Sequence, residues 1–189
     1  MNSIKQIEVI YNNRLVGRLA LTREGLCAFE YSAEWLSSGF SISPFELPLR
    51  SGVFIAKPRP FEGGFGVFDD CLPDGWGLLI LDRYLQQKGI NPRTLTLLDR
   101  LALVGSTGRG ALEFRPDNSV VTRQDFADFE KLALEAEKIL ASDDYMGEGI
   151  EEFQDRGGSP GGARPKIFVR YNDKEWLVKF RAKRDPQSI

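Results

Sequence analysis

IKQIEVIYNNRLVGRLALTREGLCAFEY, residues 4–31, is the stretch that decides the fold class. Its apolar runs are broken at Asn12-Asn13 and again at Arg23-Glu24-Gly25. Asn and Gly accept the left-handed backbone that tight turns demand. Two short linkers between apolar runs predict a meander of antiparallel strands. On its own this segment reads as a small sheet without a site.

The reading extends outward from that sheet. SAEWLSSGF (32–40) predicts one or two helical turns, with Ser32 as cap and Gly39 as stop. Pro44, Pro48, Pro58 and Pro60 forbid a long helix and predict extended loop with an edge strand. Phe61–Gly77 is dense in Gly and aromatic residues. LLILDRYLQQKG (78–89) then predicts a helix with Asp74 as N-cap, Gly89 as stop, and Leu78, Leu81 and Leu85 on one face. TLTLLDRLALVG (94–105) predicts a second helix, and both are expected to pack on the sheet. ALEFRP (111–116) reads as a short strand. Thr122–Leu140 reads as a helix with Phe126, Phe129, Ala133, Leu134, Ala136 and Leu140 inward and Glu135, Glu137 and Lys138 outward. Asp143–Arg156 is acidic and Gly-spaced, hence a linker. GGSPGGARPK (157–166) is a Gly-rich loop feeding a β-hairpin that turns at Asn172-Asp173, and RAKRDPQSI (181–189) is a polar tail.

Composition removes several chemistries. The 189 residues contain no His and two Cys, against 25 Lys+Arg and 27 Asp+Glu. A Ser-His-Asp or Cys-His machine, a His general base, an imidazole zinc site and a thiolate cage are excluded. A net charge of −2 gives no reason to assign direct nucleic-acid contacts. No run reaches the ~20 apolar residues of a membrane span. MNSIKQIEVIYNN has no signal-peptide core, so no membrane association and a cytoplasmic location are expected.

Two features carry chemistry. Glycines in 157–162 let a backbone approach a phosphate and aim N–H groups at it, and Arg164 and Lys166 add charge beside them. The loop is not a Walker A sequence, and a strand follows it rather than a helix. Taken alone, such a loop is also an ordinary linker. Lys179 is the second feature. It sits in Trp176-Leu177-Val178-Lys179-Phe180, where strand alternation puts it on the face of Leu177, opposite Val178 and Phe180. Together, a Gly-rich loop, one hairpin and a returning-strand Lys are the layout of a kinase small lobe. Asp69, Asp70, Asp74 and Asp82 are weaker candidates for Mg²⁺, with helix capping and solvation the plainer reading. Trp35, Trp76 and Trp176 are expected as core or interface anchors.

Four blocks extend this into a family resemblance: Phe40-Ser41-Ile42-Ser43-Pro44 with Leu47-Pro48-Leu49; Phe68 through Gly77 (FDDCLPDGWG); Leu98 through Gly105 (LDRLALVG); and Gly110-Ala111-Leu112-Glu113-Phe114. With Ser159-x-x-Gly162-Ala163-x-x-Lys166, the chain resembles the N-terminal part of HipA-like serine/threonine kinases, the toxins of type II toxin–antitoxin pairs. The resemblance implies an α+β fold. An antiparallel β-meander with packed helices would form an N-terminal subdomain at 1–118. A helix and linker would follow at 119–150, then the start of a protein-kinase-like small lobe at 151–189.

It also implies roles. Gly161, Gly162, Ala163, Arg164, Pro165 and Lys166 would line the ATP phosphates, Lys179 would be the phosphate-binding lysine, and Ser159 would be the autophosphorylation position. A phosphate on Ser159 would add about −1.5 to −2 charge and draw the loop out of its closed form. ATP and Mg would be needed only in a complete kinase, with none tightly bound here. The partners implied are a helix-turn-helix, HipB-like antitoxin and a protein substrate. The family's kinases are about twice this length, and their catalytic carboxylates would lie beyond residue 189. The chain is therefore expected to be an inactive N-terminal fragment contributing the ATP-phosphate loop and lysine. The alternative is a stand-alone, antitoxin-like module that regulates a split HipA-type kinase.

Overall fold

The structure is a computed structural model that describes residues 3–119, 128–142, 144–157 and 162–181. Its strands are β1 (Gln6–Tyr11), β2 (Arg14–Leu21), β3 (Cys27–Tyr31), β4 (Val53–Ile55), β5 (Glu113–Arg115), β6 (Lys166–Tyr171) and β7 (Lys174–Lys179). Its helices are α1 (Ala33–Ser38), α2 (Gly66–Asp69), α3 (Gly75–Gln87), α4 (Leu97–Val104), α5 (Phe129–Ala141) and α6 (Gly149–Gly157). The fold is α+β, with every strand pairing antiparallel. The described residues divide into two units, one drawn from 1–72 and 94–119, the other from 73–93 and 120–189.

The first unit holds a five-stranded sheet in the order β4-β3-β2-β1-β5. Asn12 and Asn13 make the expected turn, with φ of 47° and 60°. Ile7 lies opposite Leu19, Leu19 opposite Phe29, and Phe29 opposite Phe54. This row crosses four strands and is buried throughout. Gly17 sits mid-strand because a Cβ there would lie 2.7 Å from the Phe29 ring. Leu98, Leu101 and Val104 of α4 join the same core. A capping box starts α4: the Thr96 hydroxyl accepts from the Asp99 N–H, and the Asp99 carboxylate accepts from the Thr96 N–H. Asp99 also accepts from the Ile4 N–H at 3.0 Å, which ties the entry to β1 onto α4. Ser32 caps α1 as expected, accepting from the Trp35 N–H, and the proline-rich segment supplies β4 as an edge strand.

The second unit packs α3, α5 and α6 with the β6–β7 hairpin. Trp76, Ile80, Leu132, Ala136, Ile139, Ile150, Phe153, Ile167, Val169 and Phe180 form its core. Three expectations change here. Helix α3 contributes Trp76 and Ile80 to this core and also buries Leu81 and Leu85, while Leu78 is exposed. Helix α5 buries Leu132, Ala136 and Ile139, an i, i+4, i+7 stripe, and leaves Phe129, Leu134 and Leu140 exposed. Phe126 and the rest of 120–127 lie outside the described residues. The expected linker at 143–156 instead contains α6, whose Ile150 and Phe153 are fully buried. Among the described residues no helix is long and apolar enough to cross a membrane.

Candidate functional site

The candidate site is built on the β6–β7 hairpin. Asn172 and Asp173 adopt φ of 50° and 56°, the two-residue turn that suits the twist of antiparallel strands. That turn fixes the register Tyr171↔Lys174 through Lys166↔Lys179. Directly paired residues point to the same face, so Lys166 and Lys179 share one face at the open end of the hairpin. Ile167 and Val178, on the other face, enter the core. The loop end is stitched to the returning strand by the Phe180 N–H, which donates to the Pro165 carbonyl at 2.8 Å.

Gly162 is the pivot of the arrangement. Its N–H donates to Asp74 Oδ1 at 2.8 Å. Its carbonyl accepts from the Trp76 N–H at 3.1 Å and from Lys166 Nζ at 3.0 Å. The loop thus docks on the first turn of α3, where backbone N–H groups lack intrahelical partners. Asp74 was expected to cap α3. Its side chain makes no capping bond to the helix and takes the Gly162 amide instead. Gly75 is pressed against the loop: at φ +45°, its Cβ would lie 2.7 Å from the Gly162 carbonyl carbon.

The electrostatics follow from this packing. Lys166 is buried while Lys179 is exposed. Burial, and then the like charge of Lys179, push the Lys166 ammonium below its ordinary range, and the Asp74 carboxylate partly opposes them. In the first unit, burial pushes the Cys27 thiol up to about 11. Burial and the neighbouring Asp70 charge do the same to Cys71, so neither thiol is an activated nucleophile. Burial also raises Asp69, helped by the like charges of Asp70 and Glu62. Among the described residues no group of three or more Cys, Asp or Glu stands where it could hold a metal ion.

Of the residues singled out from sequence, Gly162, Ala163, Arg164, Pro165, Lys166 and Lys179 lie together at this end of the hairpin. Ser159 and Gly161 lie outside the described residues. The sequence reading missed the docking role of Asp74, Gly75 and Trp76. A glycine at the first helical position, directly after Asp, was the available signal.

Comparison with known proteins bears on the fold and the family. HipA of the Shewanella oneidensis MR-1 toxin–antitoxin system, solved with HipB and operator DNA, matches with a TM-score of 0.53 at 22% identity. The match covers 90% of this chain and 37% of that HipA chain, a likeness of fold. No curated protein sequence matches. The family model of the HipA N-terminal domain matches residues 7–115, more than half of the 189. The chain belongs to the HipA N-terminal domain family.

Proposed function

We propose that this chain is the N-terminal portion of a HipA-like serine/threonine protein kinase toxin. In this reading residues 151–189 begin the kinase small lobe. Gly161, Gly162, Ala163, Arg164, Pro165 and Lys166 hold the ATP phosphates, Lys179 is the outward-facing phosphate lysine, and Ser159 is the autophosphorylation position. ATP supplies the phosphoryl group in the complete kinase. This chain's own part is to bind and orient the phosphates. A HipB-like antitoxin is the partner proposed, by analogy with the complex in which the Shewanella HipA was solved.

The observation that supports this most directly is the pairing of Lys166 with Lys179. The register brings a Gly-rich loop and a strand lysine to one end of one hairpin. Two cationic side chains beside a glycine backbone fit the polyanionic tail of a nucleotide. The geometry also fits weak binding, because one hairpin offers a phosphate only one wall.

The test is an NMR titration of the 189-residue chain with ATP and Mg²⁺. Shifts at the amides of Ala163, Lys166 and Lys179, saturating near the ~1 mM scale, are expected, and Lys179→Met should abolish them. Labelled ATP with a generic acceptor should give no transfer by this chain. Shifts confined to other residues, or clear phosphotransfer, overturn the reading.

A further inference from the structure

Gly162 is gripped by three contacts that occupy both of its backbone polar groups. Its N–H is occupied by a carboxylate, Asp74. Its carbonyl is occupied twice, by the Trp76 amide and by Lys166 Nζ. Asp74 has no competing structural duty toward α3. Its side chain makes no capping bond, and the Leu78 N–H is met by the Asp74 backbone carbonyl at 3.3 Å. Gly75 explains how the loop comes so close. A Cβ there would stand 2.7 Å from the carbonyl carbon and 2.8 Å from the carbonyl oxygen of Gly162, so any side chain would force the loop off the helix.

We propose that Asp74 is a positioning residue whose carboxylate holds the Gly162 N–H while the Trp76 amide and Lys166 hold the Gly162 carbonyl, clamping the residue, making Lys166 an internal strut of the loop and leaving Lys179 as its phosphate-facing cation. The clamp rests on the nucleotide-loop reading above for the role of Lys179 and revises it for Lys166, whose ammonium braces the loop in place of a phosphate contact. Its physical basis stands separately. A carboxylate accepting from a backbone N–H is among the stronger hydrogen bonds available to a loop. The three contacts brace the peptide groups on both sides of the Gly162 Cα, so the strand that follows, β6, leaves the loop in a fixed direction. Lys166, buried and turned onto the Gly162 carbonyl, is spent on the brace. Lys179, its exposed register partner, is not.

The experiment is amide hydrogen exchange, read by NMR on the 189-residue chain, for wild type, Asp74→Ala and Asp74→Asn. Asp74→Ala should speed exchange of the Gly162 amide about tenfold, the loss of one bond of this kind. Asp74→Asn keeps an oxygen acceptor and should restore protection to within about threefold of wild type. The urea midpoint of the chain should barely move in either variant, since no helix cap is lost. Gly75→Ala supplies a second route, because it should raise Gly162 exchange while leaving the carboxylate in place. A Gly162 amide that exchanges alike in wild type and Asp74→Ala overturns the clamp, as does an Asn variant no better than Ala. ATP titration of the same samples separates the two ideas. Asp74-dependent protection without any shift at Lys179 supports the clamp and refutes the nucleotide reading. Shifts at Lys179 with a Gly162 amide indifferent to Asp74 do the reverse.

Discussion

Among the described residues, two hairpins are closed by the same device. Asn12-Asn13 joins β1 to β2 and Asn172-Asp173 joins β6 to β7, all four residues at positive φ. Beyond the turns they diverge. The first hairpin is flanked by β3 and β4 on one side and β5 on the other, and Val9, Val16 and Leu19 are fully buried. The second is a two-stranded sheet whose β7 residues Lys174 to Leu177 are exposed. Turn chemistry specifies where a chain reverses, but a lone hairpin is marginal in water. The first hairpin is held by a sheet-wide apolar row. The second is held on one face by helices and at its open end by polar contacts to a single glycine.

That contrast is most easily broken by removing one large side chain from each hairpin region. Phe29→Ala takes a fully buried ring out of the row between Leu19 and Phe54 and out of edge contact with Tyr31. The expected cost is about 3–5 kcal/mol. Trp176→Ala on β7 removes a larger ring that is 53% exposed and whose indole N–H donates to the Tyr171 carbonyl at 3.3 Å. Its expected cost is about 1 kcal/mol or less. Urea denaturation of the two variants gives both numbers. Comparable losses would mean that β7 carries more burial than its exposure shows.

The same contrast explains what sequence reading reached. Local chemistry was legible: both Asn-centred turns, the Ser32 cap, the proline-rich edge strand and the Lys179 face. Each depends on residues within a few positions of one another. What escaped depends on partners far along the chain. Helix α6 hid in an acidic, glycine-spaced segment because its only apolar signal is Ile150 with Phe153, and that pair needs Trp76 and Phe180 to bury it. The buried side of α5 was misassigned because its larger apolar residues, Phe129 and Leu134, are the exposed ones. Asp74 read as a helix cap because the Gly162 amide it serves lies 88 residues away. The loop and its lysine could be proposed from sequence, but for the residues that hold the loop the one local signal was a glycine directly after Asp74.

A second test sharpens the claim that the second unit relies on polar contacts. Arg83 is buried in α3, and its guanidinium donates to the Ile139 carbonyl at 2.8 Å and the Ser142 carbonyl at 2.9 Å. It therefore satisfies the last turn of α5, whose carbonyls have no intrahelical donors. Arg83→Met keeps much of the aliphatic volume and strands those carbonyls. The expected cost is about 1.5–3 kcal/mol, seen as a lower urea midpoint and faster amide exchange in α5. An unchanged midpoint would show that the aliphatic stem, not the guanidinium, is what α5 needs.

The smallest effect separates the units by sign. In the first unit, burial holds the Cys27 thiol at about 11 against an ordinary 9.0. The unfolded chain then loses this proton first. Stability is intact below 9.0 and drains away as pH rises from there toward 11, by a few tenths to about 1 kcal/mol at pH ~9.5. Lys166 has the opposite sign. Its folded pKa is depressed below 10.5 by burial and by Lys179, so the unfolded state binds the proton more tightly. The penalty applies while Lys166 is protonated in the fold. It fades as pH climbs through the depressed value toward 10.5. Tyr145, raised by its hydrogen bond to Glu135, and Lys88 and Lys138, raised by their carboxylate partners, pull the second unit the other way only above their ordinary values. Amide exchange in β2 and in β6, followed from neutral to about pH 9.5 after correction for intrinsic rates, should show protection falling in the first strand and rising in the second. Lys166→Met should remove the rise in β6 and leave the fall in β2, because only the second hairpin carries a buried cation at its open end.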